Sequence, residues 1–558
     1  MRNIIIRKLI MLLVNMDDIN CSFYKGRFEY REFDHEIPEG HFSRFVVTFI
    51  NSIAKMFNME NETFSSNKRG RKPYSFKKMA SLIYYAYANG FTNASIIADL
   101  AANHTYYKYV ANGITPDEDT INLFIEKWGD FFDFVLSYTV LFAKIAGFTE
   151  YENVSVDSTY SKSTNNKFNV IHKDDLEVLI RYYSSLNVNN EELDNLRFPA
   201  KKFMNRGNMS NKRKLEHLNK ILKRFNETDA NTIPINDIDS IHLNNKQGNS
   251  DVGYNIQTAV DEMSKMFIAI VVSQKADDHD QFPSIINKAI ENIKEKPGNT
   301  CADAGYNTHR TLEFIEETNL NALIDNNRDA KIRNGHKNDN PFHKDNMLYN
   351  YEEDYFTCYN KEKLNYQKTN IRWDDKKEDF SIKRLYYNKN ACENCKYKDK
   401  CCSTKYRTVT VTNGILALDM QRKFQEYPNI LMYIKRFSTV EAPNGTLIRF
   451  FHINEFLTIG KMKMQHRLDI CGGAYNLIRI YNQLIEKKDL TGQNIIKETK
   501  KLCQRTNAMK IIERSNNPIF INEKIELPSI CTSFLEKEKY KSLLEENNPQ
   551  TRLIKTTV

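Results

Sequence analysis

The chain has no run of about 18 uncharged apolar residues, the length a membrane-spanning helix needs. Its ten cysteines are too thinly spread over 558 residues for a disulfide framework, a device of small, cysteine-dense secreted chains. The His-x-x-x-His helix of zinc hydrolases is missing too. The apolar stretch Met1–Val14 resembles a signal peptide only superficially, because Arg7 and Lys8 interrupt it and no small-residue cleavage site follows. Together these absences predict a soluble, cytoplasmic protein in a reducing compartment, with no membrane partner.

What is present is a globular composition, 41% hydrophobic and 27% charged, long enough for several domains. The net charge of +9 and pI near 8.7 suit a polyanionic partner. Cations also cluster. Lys68, Arg69, Arg71 and Lys72 sit in a turn-forming loop just before a helical stretch, either a solvated linker or a phosphate-contacting arm.

Periodicity divides the chain. Residues 1–65 read as a leader with an amphipathic helix over Gly40–Met59, where Phe42, Phe45, Val46, Phe49 and Ile50 keep helical spacing. Residues 66–150 read as an all-helical, DNA-binding domain, with helices near Phe76–Asn89, Asn93–Leu100, Pro116–Lys127 and Phe131–Ala146. Thr115 is the expected N-cap of the third, with Pro116 at its first position and Glu118 closing a capping box. Such short helices make either a helix-turn-helix module or a scaffolding bundle.

From 151 to 325 the order is strand, helical excursion (175–245), strand hairpin, helix, strand, helix, strand. That is the order of a mixed sheet with flanking helices. The excursion is charged, strongly basic over Asn211–Arg224, and no chemistry is assigned to it. Residues 326–430 interrupt the sheet with a strand-rich insertion holding Cys392-x-x-Cys395 and Cys401-Cys402. Adjacent cysteines rarely reach one metal together, so the expected structural zinc ligands are Cys358, Cys392, Cys395 and Cys401; free thiols are the alternative. The last part of the sheet domain is expected over 431–486, including a long helical region, and 487–558 reads as a basic, polar tail.

Two strands end in carboxylates: Val154-Ser-Val-Asp157 and Thr300-Cys-Ala-Asp303-Ala-Gly-Tyr306. A carboxylate at the end of a buried strand is costly unless it meets a cation, though a turn or N-cap role is also open to it. A third carboxylate, Glu441, lies on a later basic helix. It is a candidate third acid or a salt-bridged helix residue. Three such acids are what a two-metal phosphoryl-transfer site needs, with Mg²⁺ or Mn²⁺ drawn to oxygen ligands.

In order along the chain, Gly70–Tyr74, Thr115–Ile121, Val156–Thr159, Val252–Asp261, Ala302–Tyr306, the cysteine cluster and Val440–Glu441 with Ala474–Arg479 resemble the DDE transposases of bacterial and archaeal insertion sequences. The resemblance implies a ribonuclease-H-like α/β core: a mixed sheet with flanking helices, preceded by an all-α N-terminal domain and interrupted by the cysteine-containing insertion. It implies Asp157, Asp303 and Glu441 as the acidic triad holding two Mg²⁺ (or Mn²⁺) ions. Tyr433, Arg436 and Glu441 look like the family's tyrosine-arginine-glutamate signature. Arg449 stands where a lysine is usual and one position later, and Asn444-Gly445 replaces phenylalanine-glycine; Glu455 is the fallback third acid. Lys162, Tyr433, Lys435, Arg436 and Arg449 are the expected DNA contacts near the acids. The implied activity is metal-dependent DNA cleavage and strand transfer at the element's inverted repeats, by a homodimer on double-stranded DNA. The alternatives are a ribonuclease-H-fold nuclease that does not join strands, and an inactive, domesticated DNA-binding derivative.

Overall fold

The computed structural model describes residues 34–56, 74–228, 230–244, 250–325, 338–374, 379–424, 426–456 and 458–516. The basic loop with Lys68, Arg69, Arg71 and Lys72 lies outside them. By its internal packing the chain divides into one unit up to Asn507 and a second from Ala508, of which only the end of a helix is described.

Among the described residues six helices precede the sheet: α1 (Phe42–Met56), α2 (Phe76–Ala88), α3 (Ala94–Asn103), α4 (Thr105–Ala111), α5 (Glu118–Lys127) and α6 (Gly129–Ile145). The leader helix and those of the expected helical domain thus form, with α4 as an addition. The start of α5 differs from expectation. Asp117 is its N-cap, accepting from the Thr120 N–H at 2.8 Å, while the Thr115 carbonyl accepts from the Tyr74 hydroxyl at 2.9 Å and stays outside the helix.

The sheet follows: β1 (Asn153–Lys162), then β2 (Val170–His172), α7 (Lys173–Tyr183), α8 (Asn190–Asp194), α9 (Phe198–Met204), α10 (Asn211–Asn226) and β3 (Thr232–Pro234) as an excursion. The chain returns through β4 (Ile241–Asn244), β5 (Ser250–Asp261) and β6 (Phe267–Ser273), then α11 (Phe282–Ile293), β7 (Asn299–Ala302), α12 (His309–Thr318) and β8 (Ala322–Ile324). Strand order is β4-β5-β1-β7-β8, with β6 also on β5. The β6-β5-β1 meander is antiparallel, while β1-β7-β8 are parallel. This mixed sheet is consistent with a ribonuclease-H-like fold.

The insertion builds a separate five-stranded sheet of β9 (Leu348–Asn350), β10 (Tyr355–Thr357), β11 (Lys363–Asp374), β12 (Asp379–Tyr387) and β13 (Val409–Thr412), ordered β13-β12-β11-β10-β9. Two short helices, α13 (Lys389–Glu393) and α14 (Lys398–Cys401), lie between β12 and β13. The chain then runs through α15 (Gly414–Lys423), the long α16 (Tyr427–Arg449), α17 (Lys461–Glu486) and α18 (Gln493–Asn516).

One large core joins the first helices to the sheet. Phe45, Tyr84, Leu136, Ile270, Leu468 and Leu477 belong to the same buried cluster, so α1–α6 wrap α17 and one sheet face rather than standing apart. The tail beyond 487 is not simply polar. Ile495, Thr499, Leu502 and Thr506 form a buried stripe on α18, and each threonine satisfies its hydroxyl on the carbonyl four residues back. Lysine-rich composition hides that stripe. Among the described residues no helix is long and apolar enough to cross a membrane.

Candidate functional site

Asp157 lies midway along β1, opposite Thr258 of β5. On its other side β7 runs parallel, with Ser155 level with Cys301. Two residues further along stand Asp157 and, just past the end of β7, Asp303, so neighbouring parallel strands place both carboxylates at one level. β1 does not end at Asp157, as the sequence suggests, but continues to Lys162 because β5 pairs with it throughout. Asp303 caps the single turn Ala304–Tyr306, its Oδ1 accepting from the Gly305 N–H at 2.9 Å.

A further carboxylate, Asp278, lies near them. Asp278 belongs to a stretch that the sequence places at the start of a helix, but α11 begins only at Phe282. Asp280 has a left-handed φ of 58°, which breaks the helix there, and Asp278 turns inward instead. Its Oδ2 accepts from the Ser158 hydroxyl at 2.9 Å. Its Oδ1 accepts from Gln257 Nε2 at 2.8 Å and Asn255 Nδ2 at 3.2 Å. Buried Tyr306 fixes Gln257, donating to its Oε1 at 2.5 Å. A Cβ placed on Gly305 would lie 3.1 Å from Asp303 Oδ1 and 3.5 Å from Asp278 Oδ2, so glycine leaves open the space these oxygens share. The run of acids Asp277-Asp278-His279-Asp280 was the one signal available in the sequence.

Charge at this place is unbalanced. The Asp157 side chain is only 28% exposed, and its one ion pair among the described residues is with Arg436, Nη1 to Oδ1 at 3.8 Å. Burial pushes the Asp157 carboxyl up to about 6; Arg436 pulls it down, and Asp303 and Asp278 raise it further. Like charges and desolvation therefore outweigh the single cation.

Arg436 comes from α16, whose residues Arg436, Val440, Asn444 and Leu447 recur at helical spacing toward the sheet. Tyr433 braces it, its ring 5.5 Å from the guanidinium and packed on Phe424. Asn444 meets the Thr258 hydroxyl at 2.9 Å, and that hydroxyl reaches the Asp157 carbonyl at 3.1 Å. Glu441 lies next to this face but is exposed. The structure thus brings Asp157, Asp303 and Arg436 together, adds Asp278, and leaves Glu441 on the helix flank. The fallback, Glu455, has its backbone in a short 3-10 turn after α16. Lys162 ends β1, bound to Asp251 at 2.8 Å, and Lys435 is bound to Glu262 at 3.0 Å. Arg449 is the exposed last residue of α16.

The cysteines gather on the second sheet. Cys358 follows β10, Cys392 and Cys395 flank the end of α13, and Cys401 ends α14 next to Cys402. All five are half-buried free thiols. Burial raises the Cys401 thiol to about 11, with Cys402, Cys358 and Cys392 close enough to raise it and Arg407 opposing them. Cys392 is raised by burial and by Cys402, Cys358 and Cys395. The expected four therefore converge, with Cys402 as a fifth. Among the described residues, no three His, Cys, Asp or Glu side chains stand close enough together to hold a metal as they are oriented here.

A mixed sheet with carboxylates on two neighbouring parallel strands, here Asp157 within β1 and Asp303 just after β7, is consistent with the ribonuclease-H-like class. Residues 357–481 match the family described as "Transposase DDE domain", and residues 31–127 match "Transposase domain (DUF772)". Both matches are consistent with a DDE transposase of an insertion sequence. The first match contains Glu441 and the cysteines but neither Asp157 nor Asp303; the second contains the basic loop. No curated protein matches the chain.

Proposed function

We propose that the protein is an active transposase that cleaves DNA at the ends of its element and joins the freed 3′ ends to target DNA. The supporting observation is the juxtaposition of Asp157, Asp303 and Asp278, with Gly305 leaving space beside Asp303 and Asp278 and the Arg436 guanidinium beside Asp157. Carboxylates in such a place suit divalent cations: oxygen donors, few in number, with room for water. Asp157 and Asp303 would hold two Mg²⁺ (or Mn²⁺) ions, with Glu441 swinging in from the flank of α16 and Asp278 lining the same space. Bound there, the ions supply Lewis-acid charge for the attacking and leaving oxygens.

The rest falls to the chain. Arg436 holds Asp157 and offers its outer nitrogens to a phosphate. Ser158, Asn255 and Gln257 fix Asp278. In cleavage, water attacks the phosphorus, the P–O3′ bond breaks and the 3′ oxygen takes a proton. In joining, that 3′ hydroxyl attacks a target phosphodiester, loses its proton and displaces the target's 3′ oxygen. Lys162, Lys435 and Arg449 would contact the DNA backbone further from the acids, with Lys68, Arg69, Arg71 and Lys72 as an arm. Two element ends must be held together, so the working form is a homodimer on DNA. Cys358, Cys392, Cys395 and Cys401 are assigned to one structural zinc ion, whose charge would reverse the upward shifts of the thiols.

The test is cleavage of a labelled duplex carrying the element's terminal repeat, with Mg²⁺ or Mn²⁺. Asp157→Asn and Asp303→Asn should each lower the rate at least about a thousandfold with binding retained. Glu441→Gln and Asp278→Asn run beside them decide which is the third acid. Cleavage without joining would point to a nuclease. Binding without any cleavage by wild type would point to an inactive derivative.

A further inference from the structure

The excursion between β1 and β4 has no role in the site described, and although residues 163–240 sum to only +2, their charges are sorted by sign along the chain. Between residues 195 and 228 there are ten lysines and arginines against two glutamates, a net +8 beside +9 for the whole protein. The preceding stretch, 173–194, is the opposite: six carboxylates against two cations. A surface serving only solubility mixes its signs; this one separates them.

The excursion is a built body. Ile171, Leu176, Leu179, Phe203, Leu218 and Ile221 lead a buried cluster of its own, separate from those under the main sheet. On α10 the stripe Lys214, Leu218, Ile221 and Phe225 faces inward, and Lys214 is spent on structure, its ammonium donating to the Met204 carbonyl at 2.6 Å. The outward side carries Lys212, Arg213, Lys220 and Lys223, with Lys202 exposed on α9. Of the ten cations, only Arg197 (to Asp175, 3.0 Å) and Lys223 (to Glu227, 3.7 Å) stand in ion pairs with carboxylates among the described residues.

Its attachment ties it to the acids. β1 carries Asp157 and ends at Lys162, about 17 Å further along an extended strand, and the excursion starts there. Ser163 donates to Asp237 at 2.7 Å and Asn165 accepts from the Asn236 N–H at 3.0 Å, pinning both entry and exit. Asp239 in turn accepts from the Lys461 N–H at 2.9 Å, at the start of α17.

We propose that this mini-domain, residues 170–240, is a second DNA-contacting module: its α9–α10 face grips the phosphate backbone of the same duplex beside the point of cleavage. The proposal rests on the reading of the acid site as acting on DNA. A duplex is favoured over other polyanions because the module is anchored to the strand that carries Asp157, half a helical turn of DNA away. Contacts of this kind are indifferent to base sequence and sensitive to salt.

The test is fluorescence anisotropy of the full-length protein with a labelled 40-base-pair duplex of arbitrary sequence, over a range of salt concentrations. Wild type is compared with the combined variant Lys202→Gln, Lys212→Gln, Arg213→Gln and Lys220→Gln. The variant should bind about tenfold or more weakly at 0.1 M salt, and its log–log salt slope should be shallower by about 3 to 4. The same affinity and slope in a folded variant would overturn the proposal. So would a loss confined to single-stranded RNA or phosphatidylserine vesicles, with duplex binding intact. If the combined variant fails to fold, Arg213→Gln and Lys220→Gln taken singly should each reduce the slope by about 1; unchanged slopes would overturn it. Wild type that binds and cleaves while the variant does both equally well removes this proposal alone. Wild type that binds no duplex removes the reading of the acid site with it.

Discussion

The two insertions into the sheet domain solve the same problem differently. The first, 163–240, packs four helices over a short two-stranded sheet and buries eleven hydrophobic residues in its own cluster. The second, 338–424, has five strands and three helices, two of them short, over a longer stretch. Yet its own cluster has six members among the described residues: Met347, Phe356, Leu364, Tyr386, Val409 and Leu418. A small core leaves little surplus over conformational entropy, and such bodies commonly lean on a metal or a covalent link. The thiols lie in the second insertion, where the apolar core is thin. Helices with one apolar face can stabilise an excursion by burial alone, whereas on the reading proposed above a zinc ion at the thiols supplements the thin core of the second insertion.

Metal removal is the strongest way to break that contrast. Purified protein should hold about one zinc per chain. Chelation, or Cys395→Ser, should make 338–424 sensitive to limited proteolysis while 163–240 stays protected; a structural site is worth on the order of 10 kcal/mol. Equal resistance of both insertions after complete zinc loss would mean that the second stands on its packing.

The converse change is Leu218→Ala. It empties a fully buried position in the first insertion and should cost about 2–5 kcal/mol, read as faster amide exchange in α7–α10 with zinc content unchanged. Exchange that quickens equally in β9–β13 would show the two bodies to be coupled.

The smallest effect concerns the acid site, held by neither device. The Asp157 carboxyl has its folded value near 6, above the ordinary aspartate range near 4. The folded state therefore holds that proton more tightly. The stability so gained is complete below about pH 4 and is lost as pH rises through about 6. Asp157→Asn should melt a few degrees above wild type at pH 8 and together with it at pH 4, because the amide never acquires the charge. Mg²⁺ should raise the wild-type melting temperature at pH 8 and do so less in the variant. A pH-independent difference would mean that Asp157 is not the crowded carboxylate described here.

Much of this was legible in the chain itself. Alternation and helical spacing located β1, β5, β6, β7 and most helices to within a few residues, because each has one face whose burial dictates its period. Asp157 and Asp303 stood out because each follows a run of small and apolar residues. Cys392 and Cys395 announced themselves by spacing. The rest depended on residues far apart in sequence. Asp278 looks like a helix-start aspartate until Ser158, Asn255 and Gln257, from two other strands, turn its carboxylate toward the acids. The buried stripe of α18 cannot be recognised while its threonines count as polar, since their hydroxyls are satisfied only once the helix exists. Local periodicity is set by neighbours in the chain, so the sequence alone determined most elements and singled out Asp157 and Asp303, though not that β1 runs on past Asp157. Which side chains share a charge, a thiol cluster or a core is set by neighbours in space. Only the tertiary structure decided that Asp278 enters the site, that Glu441 lies on its flank and that the basic excursion stands on the strand bearing Asp157.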